Sequence, residues 1–178
     1  MRRLPGDTPP EEQVRRMIRV NHAGEYGAAR IYAGQLAVLG RSAGASVIKN
    51  MAAQEQRHLA AFSAMMVRRQ VRPTALMPLW HVAGYALGAA TALIGEAAAM
   101  ACTVAVESVI DRHYAGQEAV LDEGEPELKA AVSQFRAEER EHHDTALAYG
   151  AKSSSLYYIL TTAIVYQTRF AIWLSTRI

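Results

Sequence analysis

Four glutamates lie where amphipathic helices keep their apolar residues, and that placement limits what the chain can become. Glu25 falls seven residues after Ile18 and seven before Tyr32. Glu55 and His58 share a stripe with Ile48, Met51, Leu59 and Phe62. Glu107 sits among Met100, Val104, Ile110 and Tyr114, and Glu139 with His142 among Val132, Phe135, Ala146 and Tyr149. Residues three, four and seven apart share one helix face. Each of four helical segments therefore turns a carboxylate toward a core, and two add a histidine as Glu-x-x-His. A solvated face is the plain alternative, but apolar neighbours flank every one of these acids at helical spacing.

A buried carboxylate normally neutralises or finds a partner. Four converging ones repel unless cations lie between them, and two divalent metal ions resolve the conflict. Carboxylates and imidazoles form a hard donor set that suits iron or manganese. The lone Cys102 leaves nothing for a thiolate-bound metal or a disulfide framework. With 13 Glu and 6 His in 178 residues, fewer than one Glu-x-x-His pair is expected by chance; two occur. The pattern also repeats, since Glu25 precedes Glu55 by 30 residues and Glu107 precedes Glu139 by 32. One Glu from each of two helices and Glu-x-x-His from each of two others is the ligand pattern of ferritin-like di-iron and di-manganese bundles.

Breaker clusters divide the chain into long helices. Thr8 as cap, prolines 9 and 10, then Glu11 and Glu12 predict a helix start, with the helix running to Leu39 and Gly40 past its end. Ser42 or Ser46 opens a second helix to about Arg69. Pro73 and Pro78 mark a crossover, and a third helix is expected from about Val82 to Gln117. The turn from Asp122 to Pro126 leads into a fourth helix ending near Gly150, and Ser153 to Ser155 cap a fifth, amphipathic one to about Thr176. No segment alternates with a two-residue period. The predicted class is all-α, a ferritin-like four-helix bundle with an internal two-fold hairpin repeat (about 9–70 and 82–150), a crossover and a C-terminal amphipathic helix (about 154–176), all in one domain.

Net charge is +2, but residues 1–72 carry 12 basic and 5 acidic side chains while the remainder carries 7 and 12. The apolar window Val82 to Val106 approaches membrane length, yet it contains Glu96 and meets Glu107, carboxylates that a lone spanning helix tolerates at roughly 2.5–3.5 kcal/mol each. A buried bundle helix is the better reading. The basic start has no apolar region behind it, so no secretory signal or transit peptide is expected.

Four stretches carry a family resemblance: Asn21-His22-Ala23-Gly24-Glu25-Tyr26-Gly27-Ala28, Glu55-Gln56-Arg57-His58-Leu59, the run from Met100 to Glu107, and Glu139-Arg140-Glu141-His142-His143-Asp144. Over nearly the whole chain the sequence resembles the demethoxyubiquinone hydroxylases of ubiquinone biosynthesis. The resemblance implies a di-iron monooxygenase that inserts one oxygen atom of O2 into the ring of a polyprenylated demethoxyubiquinol. It implies that Glu25, Glu55 and His58 hold one iron and Glu107, Glu139 and His142 the other, with Glu55 and Glu139 bridging. His113 and Tyr114 match a His-Tyr pair near substrate or in electron transfer; Arg112 stands where some members carry histidine. Without a dinucleotide fingerprint, electrons are expected from NADH docking without a Rossmann domain, a separate reductase, or the quinol itself.

A lipid-tailed substrate calls for peripheral membrane contact, expected on the cytoplasmic face of a bacterial inner membrane. Leu76, Met77, Leu79 and Trp80 in the crossover and Leu156, Ile159, Leu160, Ile164, Phe170, Ile172 and Trp173 in the last helix suit a bilayer edge. Arg68, Arg69 and Arg72 suit anionic head groups. Other ubiquinone-biosynthesis proteins are candidate partners, and no nucleic acid is expected. Cys102 reads as core filler, His81 as interfacial or structural, His22 as a support to the metal ligands, and His143 as pointing away from them. Arg57, Arg140 and Glu141 are placed to form supporting salt bridges. Two other functions fit the ligand set: a quinol oxidase of the alternative-oxidase type, and a ferritin-like iron store.

Overall fold

Prolines start three of the helices, each supplying the fixed φ of a first turn without wasting a backbone donor. The computed structural model describes residues 9–121 and 123–178; Thr8, read as a cap, and Asp122, read as part of a turn, lie outside the described residues. The elements are α1 (Pro10–Leu39), α2 (Ala45–Arg68), α3 (Met77–Ile94), α4 (Glu96–Glu118), α5 (Pro126–Ala148), a 3-10 turn at Ala151–Ser153, and α6 (Tyr157–Ser175). No strand occurs among the described residues, as the helical periodicity predicts.

The expected third helix is two helices. Pro78 opens α3 instead of breaking the chain, and Gly95 ends it at φ 141°, ψ 168°, a conformation essentially reserved for glycine. A second difference concerns the last helix. Ser153 and its neighbours form a 3-10 turn, Leu156 takes the N-cap position, and no side chain caps α6.

α1 and α4 are the inner helices. α2 and α3 pack on α1, while α5 and α6 pack on α4. The two-fold repeat therefore extends beyond the hairpins, because each hairpin is followed by an outer helix that returns to its first member. α3 lies unusually close to α1. A β-carbon at Gly34 would fall on the Tyr85 carbonyl, and one at Gly88 on the Ile31 carbonyl, so the two backbones meet where side chains are missing.

Two apolar clusters fill the bundle. One contains Ile18, Phe62, Tyr114, Leu128, Val132 and Phe135; the other contains Tyr32, Ile48, Met51, Met100, Val104 and Ala146. On α1, α2 and α5 the acids and histidines fall in sequence between the helix's contributions to the two clusters, and on α4 Glu107 follows Val104 of one cluster and precedes Ile110 and Tyr114 of the other. A polar layer is thus clamped between two dry ones.

Candidate metal centre

Glu25, Glu55, His58, Glu107, Glu139 and His142 are all buried, with Glu55 and His58 at 0% exposure. Two overlapping groups form. In the first, donor atoms of Glu25, Glu55, His58 and Glu139 lie within 4.8 Å of one another; in the second, those of Glu55, Glu107, Glu139 and His142 do. Glu55 and Glu139 belong to both groups.

The histidines turn the same nitrogen inward. His58 Nδ1 lies 3.1 Å from Glu139 Oε1 and 3.3 Å from Glu25 Oε2. His142 Nδ1 lies 3.1 Å from Glu139 Oε2 and 3.3 Å from Glu55 Oε1. Their outer Nε2 atoms meet Glu138 Oε2 at 2.8 Å and Gln54 Oε1 at 2.5 Å. His58 also stacks on Phe135, with ring centroids 4.1 Å apart.

Protein donors do not satisfy this layer. Both Glu55 oxygens and Glu25 Oε2 are buried without a hydrogen-bond donor, an arrangement that native interiors avoid. Burial, and then repulsion from Glu139, pushes Glu55 and Glu107 well above the usual carboxylate range. Burial also pushes Glu139 upward, but hydrogen bonds from His142 and His58 outweigh it and hold the group at about 2. Burial pushes His58 down, and its hydrogen bond to Glu139 together with the nearby Glu25 and Glu139 carboxylates outweighs that and raises it to about 10. Unpaired lone pairs, mutual repulsion and a hard donor set are what a pair of divalent cations would relieve. The donors fit such ions.

Tyr114 donates a hydrogen bond to Glu25, and Tyr32 donates to Glu107 Oε1 at 3.0 Å. Sequence reasoning singled out Tyr114 and passed over Tyr32. The signal was available, since each tyrosine stands seven residues after the glutamate of its own helix and binds the glutamate of the other. Burial first, then the neighbouring carboxylates, raises both phenols, so both remain protonated donors.

His113 turns away from the carboxylates. Its Nε2 lies 2.9 Å from Gln117 Nε2 and 3.2 Å from Asn21 Oδ1, inside a buried amide pair in which Asn21 and Gln117 bind each other at 2.8 and 2.7 Å. Burial lowers it to about 4, so the ring is neutral. His22 opens onto a surface recess with Ser63, Gln70 and Arg72, its Nδ1 without a hydrogen-bond partner. His143 binds Asp144 at 2.9 Å, and His81 Nδ1 and the Tyr26 hydroxyl share a hydrogen bond of 2.6 Å. Cys102 is buried, its thiol pushed up to about 12 by burial. Arg57 reaches Glu138 at 3.7 Å, and Arg136, unremarked in the sequence, pairs with Asp111 and Glu118 at 2.8 and 2.6 Å.

A mainly apolar cleft of about 630 Å³, counted with its open mouth, runs between α3 and α6. Its floor includes Gly24 and Val106, the neighbours of Glu25 and Glu107. Trp80 donates from Nε1 to Ser175 Oγ at 3.0 Å and ties the two outer helices together beside it. Leu79, Val82 and Leu93 on α3 and Ile159, Tyr166, Phe170 and Trp173 on α6 are exposed. Two of the arginines read as lipid-facing are engaged otherwise: Arg68 pairs with Glu127, and Arg69 with Glu125 at 2.6 Å.

Comparison with known proteins gives matches over nearly the whole chain. The profile of the family described as Ubiquinone biosynthesis protein COQ7 matches residues 12–175. A 3-demethoxyubiquinol 3-hydroxylase of Rhodospirillum rubrum is 52% identical over 177 residues, covering 99% of this chain and 84% of the relative. A mitochondrial NADPH-dependent 3-demethoxyubiquinone 3-hydroxylase of Mus musculus is 54% identical over 168 residues, 92% of this chain and 77% of its own length. A mitochondrial 5-demethoxyubiquinone hydroxylase of Saccharomyces cerevisiae is 41% identical over 180 residues, with shares of 92% and 77%.

Proposed function

The chain belongs to the COQ7 family of ubiquinone biosynthesis proteins, and on that premise we propose that it is an O2-dependent di-iron monooxygenase hydroxylating the ring of a polyprenylated demethoxyubiquinol. The observation that carries this reading is the buried layer of four carboxylates and two inward Nδ1 atoms lying directly beneath an apolar cleft. Two iron ions, when bound, supply the O2 activation that no side chain provides.

The protein's own share is positional. Glu25 and His58 serve one ion, Glu107 and His142 the other, and Glu55 and Glu139 both. Tyr114 and Tyr32 hold the terminal carboxylates by hydrogen bonds from opposite ends of the layer, which fixes their orientation. The apolar clusters above and below keep water out, and the cleft receives the quinol ring and the start of its tail. His113 supports α1 against α4 through Asn21 and Gln117, and has no proposed role at the reacting ring. A reduced nicotinamide nucleotide, the donor in the name of the mouse relative, is the proposed electron source.

The test is an assay with iron-loaded protein, a demethoxyubiquinol with a shortened tail, NADPH and oxygen-18 gas. The expected product carries one labelled ring oxygen. Oxygen consumption with quinol oxidised and no label incorporated would make the protein a quinol oxidase instead.

We further propose that α3 and α6 lie on a membrane surface, on the cytoplasmic side of a bacterial inner membrane, and deliver the substrate tail to the cleft. α3 is apolar enough to be considered as a span, but its 18 residues reach about 27 Å, short of a hydrocarbon core of roughly 30 Å. Its close packing along α1 also favours a helix lying in the interface. Leu79 and Phe170 are 52% and 59% exposed. The double variant Leu79→Glu, Phe170→Glu should keep its melting temperature and bind phosphatidylcholine vesicles about tenfold more weakly. Native protein should bind neutral and anionic vesicles with similar affinity, because Arg68 and Arg69 are already paired. Unchanged vesicle sedimentation of the double variant would sink the surface assignment.

A further inference from the structure

Glu138 on α5 and Gln54 on α2 occupy corresponding places in the two repeats. Each immediately precedes the glutamate of its own Glu-x-x-His segment, and each binds the outer nitrogen of the other repeat's histidine. The inner nitrogens are matched, since both Nδ1 atoms have carboxylate oxygens at 3.1 and 3.3 Å. The outer contacts differ by a full charge. His58 donates to a carboxylate, whereas His142 donates to a neutral amide oxygen.

We propose that this pair makes the two metal positions unequal, so that the His58 position binds a divalent ion more tightly than the His142 position and fills first. An anion on Nε2–H draws the proton outward and makes Nδ1 the stronger donor to a cation, while an amide carbonyl polarises the ring less. The side chain of Glu138 is only 19% exposed, so its charge is weakly screened. Arg57 stands 3.7 Å from it but is 63% exposed, and solvent damps its compensating charge. The inference rests on the two-metal reading above and adds the order of filling.

Metal-free protein titrated anaerobically with Co(II), followed by visible absorbance and calorimetry, should take up two ions in resolved steps, the first about tenfold or more tighter. His142→Ala isolates the His58 position, and His58→Ala isolates the other. Glu138→Gln should weaken binding about 10–100-fold in the His142→Ala background and leave the His58→Ala background unchanged. Gln54→Glu should do the reverse of damage, tightening only the position that remains in His58→Ala. Because Gln54→Glu adds an interaction, a merely structural loss cannot imitate it. Two ions bound with equal affinity, or Glu138→Gln weakening both backgrounds alike, would overturn the inference while leaving the two-metal reading in place. Uptake of no ion by native protein would overturn both.

Discussion

Glu139→Ala is expected to leave a folded helical protein that neither holds two metal ions nor hydroxylates its quinol. Glu139 belongs to both donor groups, and its two oxygens are divided between the histidines, Oε1 toward His58 and Oε2 toward His142, each at 3.1 Å. Removing it strips a ligand from both positions at once. Losing an outer partner of a ligating histidine typically costs about 10–100-fold, so losing a shared ligand should cost more, with turnover below about a hundredth of native. The helices should survive, because the two apolar clusters flanking the layer contain none of the carboxylates. Bound iron by colorimetric assay, circular dichroism and product formation should be measured on one preparation. Turnover above a tenth of native in Glu139→Ala, with iron still bound, would remove Glu139 from the centre. Glu25→Ala provides the contrast. Glu25 belongs to one donor group only, so this variant should still retain one ion.

The centre was readable in advance because its physical signature is local. An acid in an apolar stripe is anomalous within a single helix, and four such anomalies in repeated order point to one another. Tyr32, Gln54 and Glu138 escaped for a different reason. A tyrosine in a core stripe is ordinary, and a glutamine or glutamate beside a ligand looks like a solvated neighbour. Their meaning appears only when two helices from opposite repeats face each other and His58 reaches Glu138 across 80 residues of sequence. The fold had the same limit. Helix existence followed from periodicity, but the break at Gly95 did not, because one glycine in an Ala-rich helix is usually tolerated at a cost of about 1 kcal/mol. Its φ of 141° is set by where α3 must end and α4 begin. With the break in place, α3 becomes the counterpart of α6, each packed on the first helix of its own hairpin. Three of the apolar residues assigned to a crossover loop thereby fall in the first turn of α3, where Leu79 is exposed and Trp80 lines the cleft.

Metal loading should stabilise the protein increasingly as pH rises, and each equivalent bound should release protons. In the metal-free protein Glu55 and Glu107 have raised affinities for a proton, first through burial and then through repulsion from Glu139. A carboxyl raised above its ordinary value of 4.5 contributes stability below that value and loses it as pH climbs toward its folded value. His58, raised from 6.5 to about 10, has the same sign: its contribution is complete below pH 6.5 and is lost as pH passes 10. Glu139, lowered to about 2, has the opposite sign, and its contribution disappears only as pH falls from 4.5 through 2. Between pH 6 and 9 the metal-free fold should therefore weaken with rising pH. A bound cation requires these same groups deprotonated, so affinity should rise by up to about tenfold per pH unit for each proton displaced. At free metal about 100-fold above Kd, two sites would add roughly 5 kcal/mol, or about 10–20 °C in a chain of this size. Melting curves of metal-free and Mn(II)-loaded protein across this range, with calorimetry in buffers of different ionisation enthalpy, measure both effects. A gap in Tm that stays constant or narrows with rising pH, with no protons released, would mean that the six buried donors are not where the cations bind.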